Sequence, residues 1–151
     1  MFYGLGASFV ESFVNYPTWP LIGISEFRRY HHALGPLIVS YMVIPMLLGT
    51  ILSLVLVWIR PKQIPLWIVL LAVVCQFVVW ISTATIQLPI QCQLGADGLS
   101  IPAIERLIYT NFWFRKVPQM IASVLFIWMM YLVLREKVGP TAAISRDNSI
   151  S

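Results

Sequence analysis

Glu11 and Asn15 stand four residues apart in an otherwise apolar stretch. On a helix that spacing puts a carboxyl and an amide on one face. A carboxyl within an apolar segment is a candidate proton-transfer group; its other reading is a neutral, structural hydrogen-bonding group. A denser polar cluster comes next, with Glu26, Arg28, Arg29, Tyr30, His31 and His32. His31 can act as acid or base near neutral pH, or it is an interfacial histidine beside flanking arginines. The cluster lies between the first and second spans, as a connector would; Glu26 shares a face with Tyr30 if the stretch is helical, and is a candidate ligand contact. The third constellation is a stripe. Gln76, Thr83 and Gln87 fall within a sector of roughly 40° at about 100° per residue, and Gln91 lies one turn on. Such a stripe has two readings: polar glue between membrane helices, or the lining of a pocket that orients a lipophilic ligand. Trp80 lies on the same face and can stack on an aromatic ring. Pro89 removes a backbone donor and leaves the Thr85 carbonyl without its helical partner. Arg115, at the head of the last apolar segment, can stabilise a developing anion.

These groups need helices to position them, and four apolar segments are available at 1–22, 36–59, 65–90 and 117–134. Each approaches or exceeds the roughly 18 residues that suffice to cross a bilayer. Pro17 and Pro20 interrupt the first. Arg60-Pro61-Lys62-Gln63-Ile64-Pro65 is a short connector, so the second and third spans form an antiparallel hairpin. Leu94-Gly95-Ala96-Asp97-Gly98 reads as a turn. Ser100 is placed to cap a helix starting at Ile101 and Pro102, with Ile101, Ile104, Leu107 and Ile108 on one face, opposite Glu105 and Arg106. The expectation is an all-α integral membrane four-helix bundle, with a short amphipathic helix between the third and fourth spans. Residues 1–138 form the transmembrane domain, and 139–151 form a polar tail, expected to be disordered unless a partner holds it.

Composition supports a lipid-facing chain. Of 151 residues 59% are hydrophobic and 11% charged, with mean hydropathy +0.82, against about 25% charged in soluble domains. The net charge of +4 does not mark a nucleic-acid surface, because Lys and Arg stand in pairs at segment ends, as membrane flanks do. No nucleotide loop, nucleophile elbow, zinc spacing or triad is present. The two histidines are adjacent and point about 100° apart on a helix, so they cannot jointly clamp a haem, although one could be a single axial ligand. Neither a metal nor a cofactor is expected. Cys75 and Cys92, 17 residues apart on one expected helix, cannot bridge each other. The N-terminus lacks a basic region of the signal-peptide kind. Basic residues divide evenly between the two sides; discounting Arg115 and Lys116 as drawn toward a polar pocket places both termini in the cytoplasm.

Ile86-Gln87-Leu88-Pro89-Ile90-Gln91-Cys92-Gln93-Leu94 resembles the Asn-x-Pro-x-Asn-x-x-Leu segment of the anthrone-oxygenase-like family of small four-helix membrane proteins. Gln replaces Asn at both amide positions. The order of features is also similar, down to the aromatic and basic run Asn111-Phe112-Trp113-Phe114-Arg115-Lys116-Val117-Pro118. Pro118 stands where that family tends to carry an Arg. Tyr16–Trp19 and Glu26–His31 match a pattern found in similar bacterial chains. The resemblance implies a four-helix bundle in a bacterial inner membrane. It also implies, from some relatives, oxidation of an anthrone-type aromatic by molecular oxygen without an evident cofactor.

Three functions arise as expectations. The first is binding or oxidation of a small lipophilic aromatic molecule inside the bundle, with Glu11, His31 and Arg115 as catalytic groups and Asn15, Glu26, Trp80, Thr83, Gln87 and Gln91 as ligand contacts. The alternative is a non-catalytic accessory subunit held by partner subunits of a larger membrane complex. A transporter is disfavoured, since no internal repeat is visible. A cavity touching both Gln87 and His31 separates the first from a dry, close-packed interior.

Overall fold

The computed structural model describes residues 2–147, with side chains up to residue 136. Among them there are four helices and no strand. Helix α1 covers 2–21, ending in a 3-10 turn at Trp19–Leu21. Helix α2 is Ile24–Ile59, α3 is Leu66–Asp97, and α4 starts at Ile101. The last three are long and apolar enough to cross a membrane, and the chain is an all-α membrane bundle. Each helix packs on its neighbours in a ring, α1 against α2 and α4, and α3 against α2 and α4.

The helices run past the segments expected from hydropathy. At 1.5 Å per residue, the 36 residues of α2 extend about 54 Å, well beyond a hydrocarbon core of about 30 Å. The Glu26–His32 cluster is therefore helical rather than a connector; Phe27, wholly buried, anchors that extension. Leu94-Gly95-Ala96-Asp97 is helix too, with Leu94 and Gly95 buried. Only Gly98, at φ 91°, breaks it, a conformation that costs glycine little. The amphipathic segment Ile101–Asn111 buries Ala103, Ile104, Leu107 and Asn111 and joins the fourth span without a break. Its start comes just after Ser100, but the Ser100 side chain makes no capping bond. The helical backbone of α4 continues past Gly139 to Asp147; Met1 and residues 148–151 lie outside the described residues, so the end of the expected polar tail does too.

Two cores result. Tyr16, Trp19, Phe27, Ile90, Leu94, Ala103, Ile104 and Leu107 pack the polar end of the bundle. Ile64, Ile68, Val69, Ala72, Leu125 and Met129 pack the other. Between them each helix carries one π-turn: Glu11–Asn15, Val39–Val43, Thr83–Gln87 and Phe112–Lys116. Each is succeeded, after one residue, by a proline: Pro17, Pro45, Pro89 and Pro118. A proline in a helix lacks its N–H and pushes away the carbonyl four residues back. Here the residue before it donates five residues back instead, Tyr16 to Glu11, Ile44 to Val39, Leu88 to Thr83 and Val117 to Phe112.

Candidate functional site

All four π-turns face one cavity of about 280 Å³. Glu11 comes from the first, Val39, Met42 and Val43 from the second, Thr83 and Gln87 from the third, and Arg115 from the fourth. Such turns widen the helix and are common at functional sites. One wall is apolar, formed by Leu34, Ile38, Val39, Met42, Val43 and Met46 of α2. The other helices bring polar groups to the cavity, Glu11 and Tyr16 from α1, Gln87 and Gln91 from α3 and Arg115 from α4, and His31 adds one from the N-terminal part of α2. Trp80 also borders the cavity, with its indole N–H donated to Thr50 Oγ1 at 3.0 Å.

The carboxyl of Glu11 is buried, and its Oε2 accepts a hydrogen bond from Asn15 Nδ2 at 3.2 Å. Asn15 thus holds the carboxyl rather than bordering the cavity. Glu11 Oε1 has no partner. Tyr16 lies beside Glu11, with its hydroxyl accepting from Gln91 Nε2 at 3.4 Å. Gln91 Oε1 in turn faces His31 Nε2 at 2.7 Å. The His31 ring is gripped by Trp19, centroid to centroid 5.6 Å, and by Phe27 at 5.8 Å.

Gln87 both ties helices together and borders the cavity. Its Nε2 donates to Thr110 Oγ1 at 3.0 Å, joining α3 to α4, while its buried Oε1 has no partner. Thr83 borders the cavity, although its hydroxyl bonds Val79 O at 2.7 Å. Gln76 lies instead on a separate space of about 50 Å³ between Met46, Thr50, Trp80 and Gln119. The buried Arg115 has no hydrogen-bond partner at Nε, and no hydrogen bond joins it to Glu11. A buried guanidinium N–H without an acceptor is costly, and an anionic or strongly accepting group in the cavity would offset that cost.

Of the residues expected from sequence, Glu11, His31, Arg115, Trp80, Thr83, Gln87 and Gln91 meet at one cavity, and Asn15 supports it. Glu26 does not belong there. It is exposed in the first turn of α2, with its carboxyl folded over Gly23, where a β-carbon would lie 2.0 Å from Oε2. Acidic residues favour that position because they face the positive end of the helix dipole. Sequence reasoning overlooked Tyr16, the Met42 and Met46 wall, and Asn111, whose Nδ2 donates to Ser12 Oγ at 2.6 Å. A proline just beyond each π-turn is the one local feature the four share, and Pro36, in ordinary helix, shows that it does not suffice by itself. Among the described residues no group of three or more His, Cys, Asp or Glu is placed to hold a metal. No protein-family model, curated protein or solved structure matches the chain.

Proposed function

We propose that the protein binds a small lipophilic aromatic molecule in the four-π-turn cavity and acts on it as a membrane enzyme. The observation that carries this reading is the cavity itself: about 280 Å³, bordered by both Gln87 and His31, with an apolar wall from residues 34–46 of α2 and polar groups around it. The apolar body of a ligand would lie on Met42, Met46 and Trp80; thioether and indole contacts to flat rings are favourable. Its polar group would meet Arg115 and the amides of Gln87 and Gln91. Glu11 would take a proton from that group, and Arg115 would stabilise the anion left behind. The resemblance to anthrone-oxygenase-like proteins suggests that molecular oxygen then oxidises the anion. The setting proposed is a bacterial inner membrane with the termini in the cytoplasm.

The test uses the full chain in lipid nanodiscs. Quenching of tryptophan fluorescence is monitored with 1-naphthol and with naphthalene, and oxygen uptake is monitored with an anthrone. Preferential binding of 1-naphthol, weakened in Gln87→Leu and Arg115→Met, supports the reading. Equal binding of both probes, or binding unchanged in both variants, overturns it. Absence of oxygen uptake removes the oxidative step and leaves the binding reading.

A further inference from the structure

A second space, an open groove of about 680 Å³, lies at the polar end of the bundle between Arg28, His32, Pro36, Cys92 and Gly95. His31, Gly35 and Gln91 border both the groove and the cavity. Of these three, only the imidazole has one nitrogen that can accept a proton and another that can release one. The hydrogen-bond geometry orients it. Gln91 presents Oε1 to His31 Nε2 at 2.7 Å; because an amide oxygen can only accept, this contact is a hydrogen bond in the tautomer that carries its hydrogen on Nε2. The neutral ring therefore keeps its free lone pair on Nδ1. That nitrogen faces Gly95, where a β-carbon would lie 3.4 Å away. Glycine leaves the approach to Nδ1 open on the groove side.

We infer that His31 is the proton port of the cavity, exchanging protons with the groove at Nδ1 and with the cavity at Nε2. A proton taken from groove water at Nδ1 makes the imidazolium. Release of the Nε2 proton to water on the Glu11 side leaves the neutral ring, so one proton enters for each one passed inward. To reset, the ring must leave its bond to Gln91 and its contacts with Trp19 and Phe27, turn so that the proton on Nδ1 faces the cavity, give it up there and return, so this opening sets the pace of the port. Gln91, bonded to His31 and to Tyr16, holds the ring in register with the tyrosine beside Glu11. The ionisable groups around this path are Arg28 and His32 from α2, Cys92 from α3, Glu11 and Tyr16 from α1, and Arg115 from α4. The inference rests on the cavity being a place where protons move, yet it requires no ligand, so it can fail or hold independently of ligand binding.

The experiment tracks hydrogen–deuterium exchange of the Glu11 carboxyl by infrared spectroscopy, with the full chain in nanodiscs transferred to D₂O. The band is assigned by its loss in Glu11→Gln and read at a pH where titration shows it present. His31→Phe and Gly95→Val are expected to slow exchange about 100-fold, the lower range for a positioned proton-transfer group. Gly95→Val keeps the histidine and sets a side chain against Nδ1, with His32 Cε1 also 3.9 Å from the new β-carbon, which the His32→Asn variant controls for. His32→Asn is expected to exchange at the parent rate. In a His32→Asn background, ¹⁵N resonances of the remaining histidine are expected to show the Nε2–H form. Parent-rate exchange in both His31→Phe and Gly95→Val, equal slowing in His32→Asn, or an Nδ1–H neutral ring would each overturn the port.

Discussion

Ser82 Oγ donates to the carbonyl of Phe114 at 3.1 Å, and that carbonyl is the one Pro118 deprives of its helical donor. A hydroxyl of α3 thus completes a bond that α4 cannot make for itself. The same device recurs across the bundle, where the Tyr3 hydroxyl donates to the Tyr41 carbonyl, four residues before Pro45. Pro118 and Pro45 consequently bind helices together at the points where they interrupt them.

This relationship makes a double-mutant prediction. Ser82→Ala leaves the Phe114 carbonyl unsatisfied in an apolar setting and is expected to cost about 1–3 kcal/mol. In a Pro118→Ala background an N–H returns to the α4 ladder, and the same substitution is expected to cost little. Unfolding in detergent of the two single variants and the double variant measures the coupling. Additive losses would show that Ser82 serves some other partner, such as its own bond to Val79 O at 3.0 Å.

The prolines also set the cavity. With Pro89→Ala, the backbone from Thr83 to Gln87 can return to ordinary helical bonding. Losing one residue's worth of winding rotates the N-terminal half of α3 by about 100° relative to its C-terminal half. Gln87 and Thr83 would then no longer share the cavity with Gln91. Pro89→Ala is expected to abolish 1-naphthol binding without changing any cavity-lining side chain. Pro36→Ala, at a proline in ordinary helix, is expected to leave binding intact. Fluorescence titration in nanodiscs compares the two.

The contrast between Pro36 and Pro89 also explains how far the sequence was legible. The apolar segments revealed a helical membrane bundle, because lipid permits few other ways to satisfy a backbone. The one-face spacing put Thr83, Gln87 and Gln91 on one side of α3, because helical periodicity fixes direction once the backbone is helical, but it left open whether that side was glue or a pocket, and Gln76, before the π-turn, faces a different space. The π-turns were not legible. Pro36 sits in ordinary helix while four other prolines come just after π-turns, so whether a turn widens depends on neighbours such as Ser82 and Tyr3, which come from distant sequence. Glu26 was misplaced for a related reason. Its cluster resembles a connector by hydropathy, but Phe27 finds a buried site at the end of the bundle and keeps the segment helical.

Arg115 predicts a conflict between stability and binding. A buried guanidinium without a partner at Nε burdens the empty protein. Arg115→Met keeps much of the side-chain volume and removes the charge, and it is expected to raise unfolding stability by about 2 kcal/mol. The same variant is expected to lose its preference for 1-naphthol over naphthalene. Both measurements use one preparation. A fall in stability would mean that Arg115 is a structural tie rather than a ligand contact.

Lys116 provides the control, since it is the adjacent cation yet faces elsewhere. It is wholly buried, with Nζ 4.4 Å from the Phe13 ring centroid, 5.7 Å from that of Phe112 and 5.8 Å from that of Phe9. No hydrogen-bond acceptor reaches Nζ. A desolvated cation gains up to about 2 kcal/mol from an aromatic face, while burying an ammonium without an acceptor costs several kcal/mol. The rings therefore offset only part of the loss, and Lys116→Met, which can fill the same cage with a polarisable thioether, is expected to be at least as stable as the parent. Because the cage is not part of the cavity wall, 1-naphthol binding is expected to stay unchanged. Lys116→Glu would place an anion against the negative ring faces and is expected to unfold readily in detergent. If Lys116→Met instead abolished probe binding, the cavity would extend behind Arg115, and the two neighbouring cations would have to be treated as one site.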